Sequence, residues 1–111
     1  MAFDERLAER IRVVLDGREA IREQRMFGGV AFMDHGNMCV GIVHDDLMAR
    51  VGADAWEEAL AQPGARPMDF VPSRPMKGMV YVSPDAIATE EELRSWVERC
   101  LAFTSTLPAK G

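Results

Sequence analysis

Two cysteines and two histidines, with several clusters of acids, are the residues of this 111-residue chain whose types could do chemistry. A thiol is a nucleophile only as thiolate, which cationic, polar surroundings favour and apolar ones oppose. Cys39 lies in an apolar run and Cys100 on the apolar stripe of a predicted last helix. No sequence pattern ties either histidine to them, so both read as small hydrophobes. Their distance along the chain and an expected reducing compartment argue against a disulfide. His35 and His44 sit beside Asp34, Asp45 and Asp46, where turn chemistry explains them and a metal site would need more ligands than the cluster supplies. Glu90, Glu91 and Glu92 fall in a predicted first helical turn, where acids complement the macrodipole without catalysing anything. The expectation is therefore no catalytic residue, no metal and no cofactor.

Two other stretches invite a functional reading. In Arg25-Met26-Phe27-Gly28-Gly29 the glycine pair lacks the spacing of a dinucleotide fingerprint and the Lys-Ser or Lys-Thr of a phosphate loop. It is expected as a bulge inside a long strand, where missing side chains let the backbone bend. Between Arg66 and Lys77, the cations Arg66, Arg74 and Lys77 outnumber Asp69 in an otherwise acidic chain, framed by prolines. They suggest an anion- or partner-binding patch, with a merely solvated edge as the plainer reading.

The elements that must position these residues follow from periodicity. Phe3, Leu7, Ile11, Val14 and Leu15 recur at helical spacing, which predicts a helix over 3–16 ending at Gly17. Residues 22–33 and 38–43 read as strands joined by a four-residue turn, Asp34-His35-Gly36-Asn37. A third strand over 47–51 and a helix over 56–61, with Asp54 as a possible cap, come next. The prolines that follow leave room for a short strand at 68–71 and a better one at 76–82. Thr89 and Glu92 form a capping-box pattern ahead of Leu93, Trp96, Val97, Cys100 and Leu101. The predicted order is αβββαββα in a single domain spanning residues 1–111. It is an α+β, two-layer fold with an antiparallel sheet of about five strands.

Both alternate sets of the first strand, Met26, Val30, Phe32 and Phe27, Ala31, Met33, are apolar, so the second face of the sheet needs a cover. A helix, the proline-rich loop or a second copy in a homodimer would each supply one. Thirteen Lys and Arg against 18 Asp and Glu give a net charge of -5, which disfavours direct nucleic-acid binding and anionic membrane surfaces. No apolar run reaches the roughly 20 residues that a membrane span needs, and the charged N-terminus is unlike a signal peptide. A cytoplasmic location is expected.

In order, "RMFGGVAFM", "DHGN", "DDLMARVG", "ARPMDF", "MKGMVYV" and "EELRSWVERCLAF" make the chain resemble the TfoX N-terminal domain family over nearly its whole length. The resemblance implies a two-layer α/β fold of the secretion-chaperone-like or YgaC/TfoX-like type. It also implies a bacterial regulatory role like that of the competence regulators, in transcription and through an unidentified protein partner. It brings no active site and no cofactor. Those regulators carry a second, helical domain, so a stand-alone N-terminal domain is expected here. The alternative expectation is a domain that senses a small molecule or anion through Arg66, Arg74 and Lys77.

Overall fold

The computed structural model describes residues 3–26, 28–68 and 77–109, with Met26 described in its backbone alone. Helix α1 (Glu5–Val14) begins where the Asp4 carboxylate accepts from the amides of Arg6 and Leu7, at 2.9 and 3.2 Å, satisfying donors that have no partner inside the helix. Phe3, expected inside this helix, instead bridges to His44. Four strands follow: β1 (Ile21–Met26), β2 (Gly29–Asp34), β3 (Asn37–Val43) and β4 (Asp46–Arg50). After α2 (Trp56–Leu60) come β5 (Ala65–Pro67), β6 (Met79–Val82), a 3₁₀ turn (Pro84–Ile87) and α3 (Glu90–Thr104). The six strands form one antiparallel sheet in the order β1-β2-β3-β4-β6-β5. The α+β class and the antiparallel sheet are as the sequence predicts, with six strands where about five were expected.

The sixth strand comes from the glycine pair. Instead of one long strand with an internal bulge, there are two strands, and β1 pairs back onto β2 from Met26 opposite Gly29 to Ile21 opposite Asp34. Gly28 has φ +75°, a conformation that side chains disfavour. Gly29 is buried, and a Cβ there would run into the Ile42 carbonyl of β3. One glycine makes the turn and the other lets two strands approach. The reading of 22–33 as a single strand fails at its first half, where Arg22, Glu23, Gln24 and Arg25 are exposed on an edge strand. Charges on an edge discourage pairing with other chains.

A bulge does exist, one strand further on. Phe32 opposes Val40 while Met33 opposes Met38, so Cys39 is an extra residue in β3. Cys39 and Val40 both join the core beneath the helices. The expected four-residue turn after β2 is tighter than predicted: only His35 and Gly36 lie outside the strands, with φ of 51° and 83°. Two successive positive φ values are what a type I′ hairpin requires. The cap expected at Asp54 is absent, since α2 starts after Ala55 without a side-chain cap. The strand expected at 68–71 is met instead by β5 at Ala65–Pro67, with residues 69–71 outside the described ones; the strand expected at 76–82 begins at Met79.

All three helices pack on one face. Val30, Phe32, Val40, Ile42 and Leu47 meet Leu7, Ile11, Leu93, Trp96, Val97 and Cys100 in the main core. Trp96 is only 5% exposed, as the phase of the last helix predicts. On the other face Met48, Met68 and Met79 form a smaller buried cluster, flanked by the partly buried Met38, Val43 and Tyr81. The expectation that both faces are apolar therefore holds within β2, whose Ala31 is buried opposite Gly41.

Candidate functional site

The polar groups that converge do so where the β2–β3 turn meets the end of α3. Val30, Phe32 and Asp34 alternate along β2, and the first two enter the core, so Asp34 points the same way at the margin of that core. Its Oδ2 accepts from the Thr104 hydroxyl at 2.9 Å and its Oδ1 lies 2.8 Å from Nδ1 of His35. Thr104 is buried, whereas the His35 side chain is 62% exposed. Asn37, also buried, donates from Nδ2 to the Pro108 carbonyl at 2.9 Å and holds the tail against this turn. Beside these residues lies a cleft of about 320 Å³ lined by Arg18, Asp34, His35, Thr104 and Leu107, among others.

Carboxylate, imidazole and hydroxyl are the parts of a proton relay, but their order is wrong for one. In a nucleophile–base–orienter arrangement the hydroxyl donates to the imidazole. Here Thr104 donates to the carboxylate and approaches the Leu101 carbonyl at 3.4 Å. The cluster ties a turn to a helix end. Among the described residues no group of three or more metal-ligating side chains occurs.

Behind Thr104 lie the two cysteines, both free and buried. A hydrogen bond from the Cys100 thiol lowers the Cys39 thiol's pKa against the burial that raises it, with Thr104 helping to lower it. The same bond and burial push Cys100 well up. The fold thus buries both thiols in one core. The signal available in the sequence was their common placement on predicted core-facing positions; their burial in one core comes from α3 packing on β3.

Of the loop cations, Arg66 is anchored. Its Nη2 lies 2.8 Å from Asp46 Oδ1, and its guanidinium is 5.4 Å from the Tyr81 ring centroid, a cation–π distance. Arg66 stands opposite Tyr81 on the β5–β6 ladder, while Lys77 is exposed in the turn leading into β6. Arg74 lies outside the described residues. The motif residue Arg25 stacks over Phe3 at 5.2 Å, fastening the edge strand to the segment before α1. Phe27 is outside the described residues, as is the Met26 side chain.

No helix among the described residues is long and apolar enough to cross a membrane. No curated protein and no solved structure matches the chain significantly. The TfoX N-terminal domain family matches residues 14–104, from the end of α1 through α3. That span includes every strand and the whole cleft lining named above, except Leu107. With most of its length matched, the chain belongs to the TfoX N-terminal domain family.

Proposed function

We propose that this protein is a cytoplasmic regulatory module that affects transcription through protein contacts, neither catalysing a reaction nor gripping DNA. The family match over residues 14–104 carries the reading. The net charge of -5 supports protein over nucleic acid, because phosphate backbones recruit basic surfaces. The sheet face away from the helices supports it too. Met38, Val43 and Tyr81 stay partly accessible around buried methionines, and thioether side chains adapt to irregular apolar partners. A second copy related by two-fold symmetry is the self-association this face would serve. The alternative, anion sensing by Arg66, Arg74 and Lys77, is weakened because the Arg66 charge is already met by Asp46.

The test combines transcript measurement after gene deletion with photo-crosslinking from position 81, on the same face, in the native cell. A defined gene set should respond, and one specific protein should be captured. Val43→Glu should abolish both while the circular dichroism of the purified protein stays native. An unchanged transcriptome, or capture that survives Val43→Glu, defeats the proposal.

A further inference from the structure

Three segments far apart in sequence converge on the cleft of about 320 Å³: the link between α1 and β1, the β2–β3 turn, and the end of α3 with the tail behind it. Hydrogen bonds fix them to one another. The His35 amide donates to the Ala20 carbonyl at 3.1 Å, and Asn37 holds the tail through Pro108. Arg18 and Asp34 both line this cleft, yet they form no ion pair with each other, and Arg18 forms none with any of the described residues. A cation and a carboxylate thus face one cavity without neutralising each other. The carboxylate is preorganised, because Thr104 and His35 hold its two oxygens at 2.9 and 2.8 Å. It stands beside the C-terminal end of a 15-residue helix whose last turn carries no basic residue, and such an end attracts positive charge. Leu101, Leu107 and Ala109 add apolar surface. The volume is at the small end of the roughly 300–1,000 Å³ of small-molecule sites, which combine apolar walls with a few placed polar groups.

We infer that this cleft is a binding site for a free α-amino acid with an aliphatic side chain. The ligand's carboxylate pairs with the Arg18 guanidinium, whose planar fork matches two carboxylate oxygens. Its ammonium lies against the Asp34 carboxylate and the end of α3, and its side chain against Leu101 and Leu107. A zwitterion is the small ligand that satisfies both charges at once. A simple anion would meet repulsion from Asp34, and a simple amine would leave Arg18 unused. The Thr104 hydroxyl keeps Asp34 aimed by donating to its Oδ2, so the carboxylate needs no reordering when the ligand arrives. The His35 side chain lines the same cleft while 62% exposed, which places it on the solvent side of the site. None of the cleft residues belongs to the methionine-bearing contact face, so the inference stands apart from the protein-contact reading.

The test is a titration of the full chain with L-leucine, followed by amide chemical shifts, beside two truncated probes. One is 4-methylpentanoate, which lacks the ammonium, and the other is isoamylamine, which lacks the carboxylate. Leucine should saturably shift the amides of residues 18–20, 34–37 and 101–107. It should bind roughly tenfold or more tighter than either probe, the discrimination expected of one hydrogen-bonded charge pair. Leucine should also raise the unfolding midpoint, because it binds the folded state alone. Arg18→Gln should leave leucine binding no better than isoamylamine. Asp34→Asn, which keeps an acceptor for Thr104, should leave it binding no better than 4-methylpentanoate. No saturable shift at about 10 mM leucine, or a probe that binds as tightly as leucine, overturns the inference, as does leucine binding unchanged in Arg18→Gln. The comparison of the three ligands on the unmutated chain decides even where Asp34→Asn fails to fold.

Discussion

Gly28 and Gly29 are adjacent but resist substitution for different reasons. At Gly28, φ is +75°, so Gly28→Ala should cost about 1 kcal/mol of left-handed strain. At Gly29 the obstacle is backbone, the Ile42 carbonyl, which cannot swing aside as a side chain tip can. Gly29→Ala should cost about 3 kcal/mol, near the upper end for overpacking. Urea denaturation of the two variants should give the larger loss at Gly29, and equal small losses would contradict this division of roles. Thr104→Val keeps the shape but removes the donor to the Asp34 carboxylate, so about 1–3 kcal/mol should be lost. Glu23 gives a pH signature. Arg12 grips both its oxygens, at 2.6 and 2.8 Å, and holds its carboxyl below the ordinary range. A depressed carboxylate stabilises the fold above its unfolded pKa and loses that contribution as pH falls through the folded value. With both side chains 38% exposed, Glu23→Gln should cost less than about 1 kcal/mol at neutral pH. That gap should close as pH drops below about 4, and a gap that widens in acid would refute it.

Helix α3 is the element whose local and tertiary signals agree most fully. Its capping box is reciprocal: the Glu92 amide donates to the Thr89 hydroxyl at 3.1 Å, and the Thr89 amide donates to the Glu92 carboxylate at 3.0 Å. Thr89→Ala should cost about 1 kcal/mol. Further along, Trp96 fills the core while Arg99 lies 5.4 Å from its ring centroid and reaches Glu58 of α2 at 2.7 Å. Trp96→Ala should cost about 3–5 kcal/mol, and thermal unfolding that shows a loss comparable to Thr89→Ala would mean the helix is not the sheet's main cover. Strand β1 is the opposite case. Its sequence, IREQRM, has little apolar character and forms a strand because β2 offers it a ladder. Pairing, the turn at Gly28 and Arg25 stacked on Phe3 hold what propensity alone would not.

At the scale of the molecule, the order β1-β2-β3-β4-β6-β5 leaves β1 and β5 at the edges and β3 and β4 inside. Interior ladders open only with larger units of the fold, while edges fray. Hydrogen exchange should therefore protect β3 and β4 amides most and β1 and β5 amides least in the isolated chain. An edge protected as strongly as β3 would reveal an edge-to-edge partner in solution and move the contact surface away from the methionine-bearing face.

The sequence by itself determined what depends on local spacing. Helical periodicity and the capping box located α3 and its buried Trp96, alternation located both apolar faces of β2, and the ordered motifs identified the family. Arg25 to Gly29 signalled unusual backbone, but a bulge and a turn both call for glycine locally, and only the ladder between β1 and β2 distinguishes them. That is why one predicted strand became two. The site was less legible than the fold. Asp34 and His35 were visible as turn residues, yet their convergence with Thr104 needs α3 to end against the β2–β3 turn. The burial of Cys39 and Cys100 in one core needs that helix docked over β3 and one extra residue in the strand beneath it. Contacts between residues so far apart along the chain are set by how the layers pack, which no local pattern encodes.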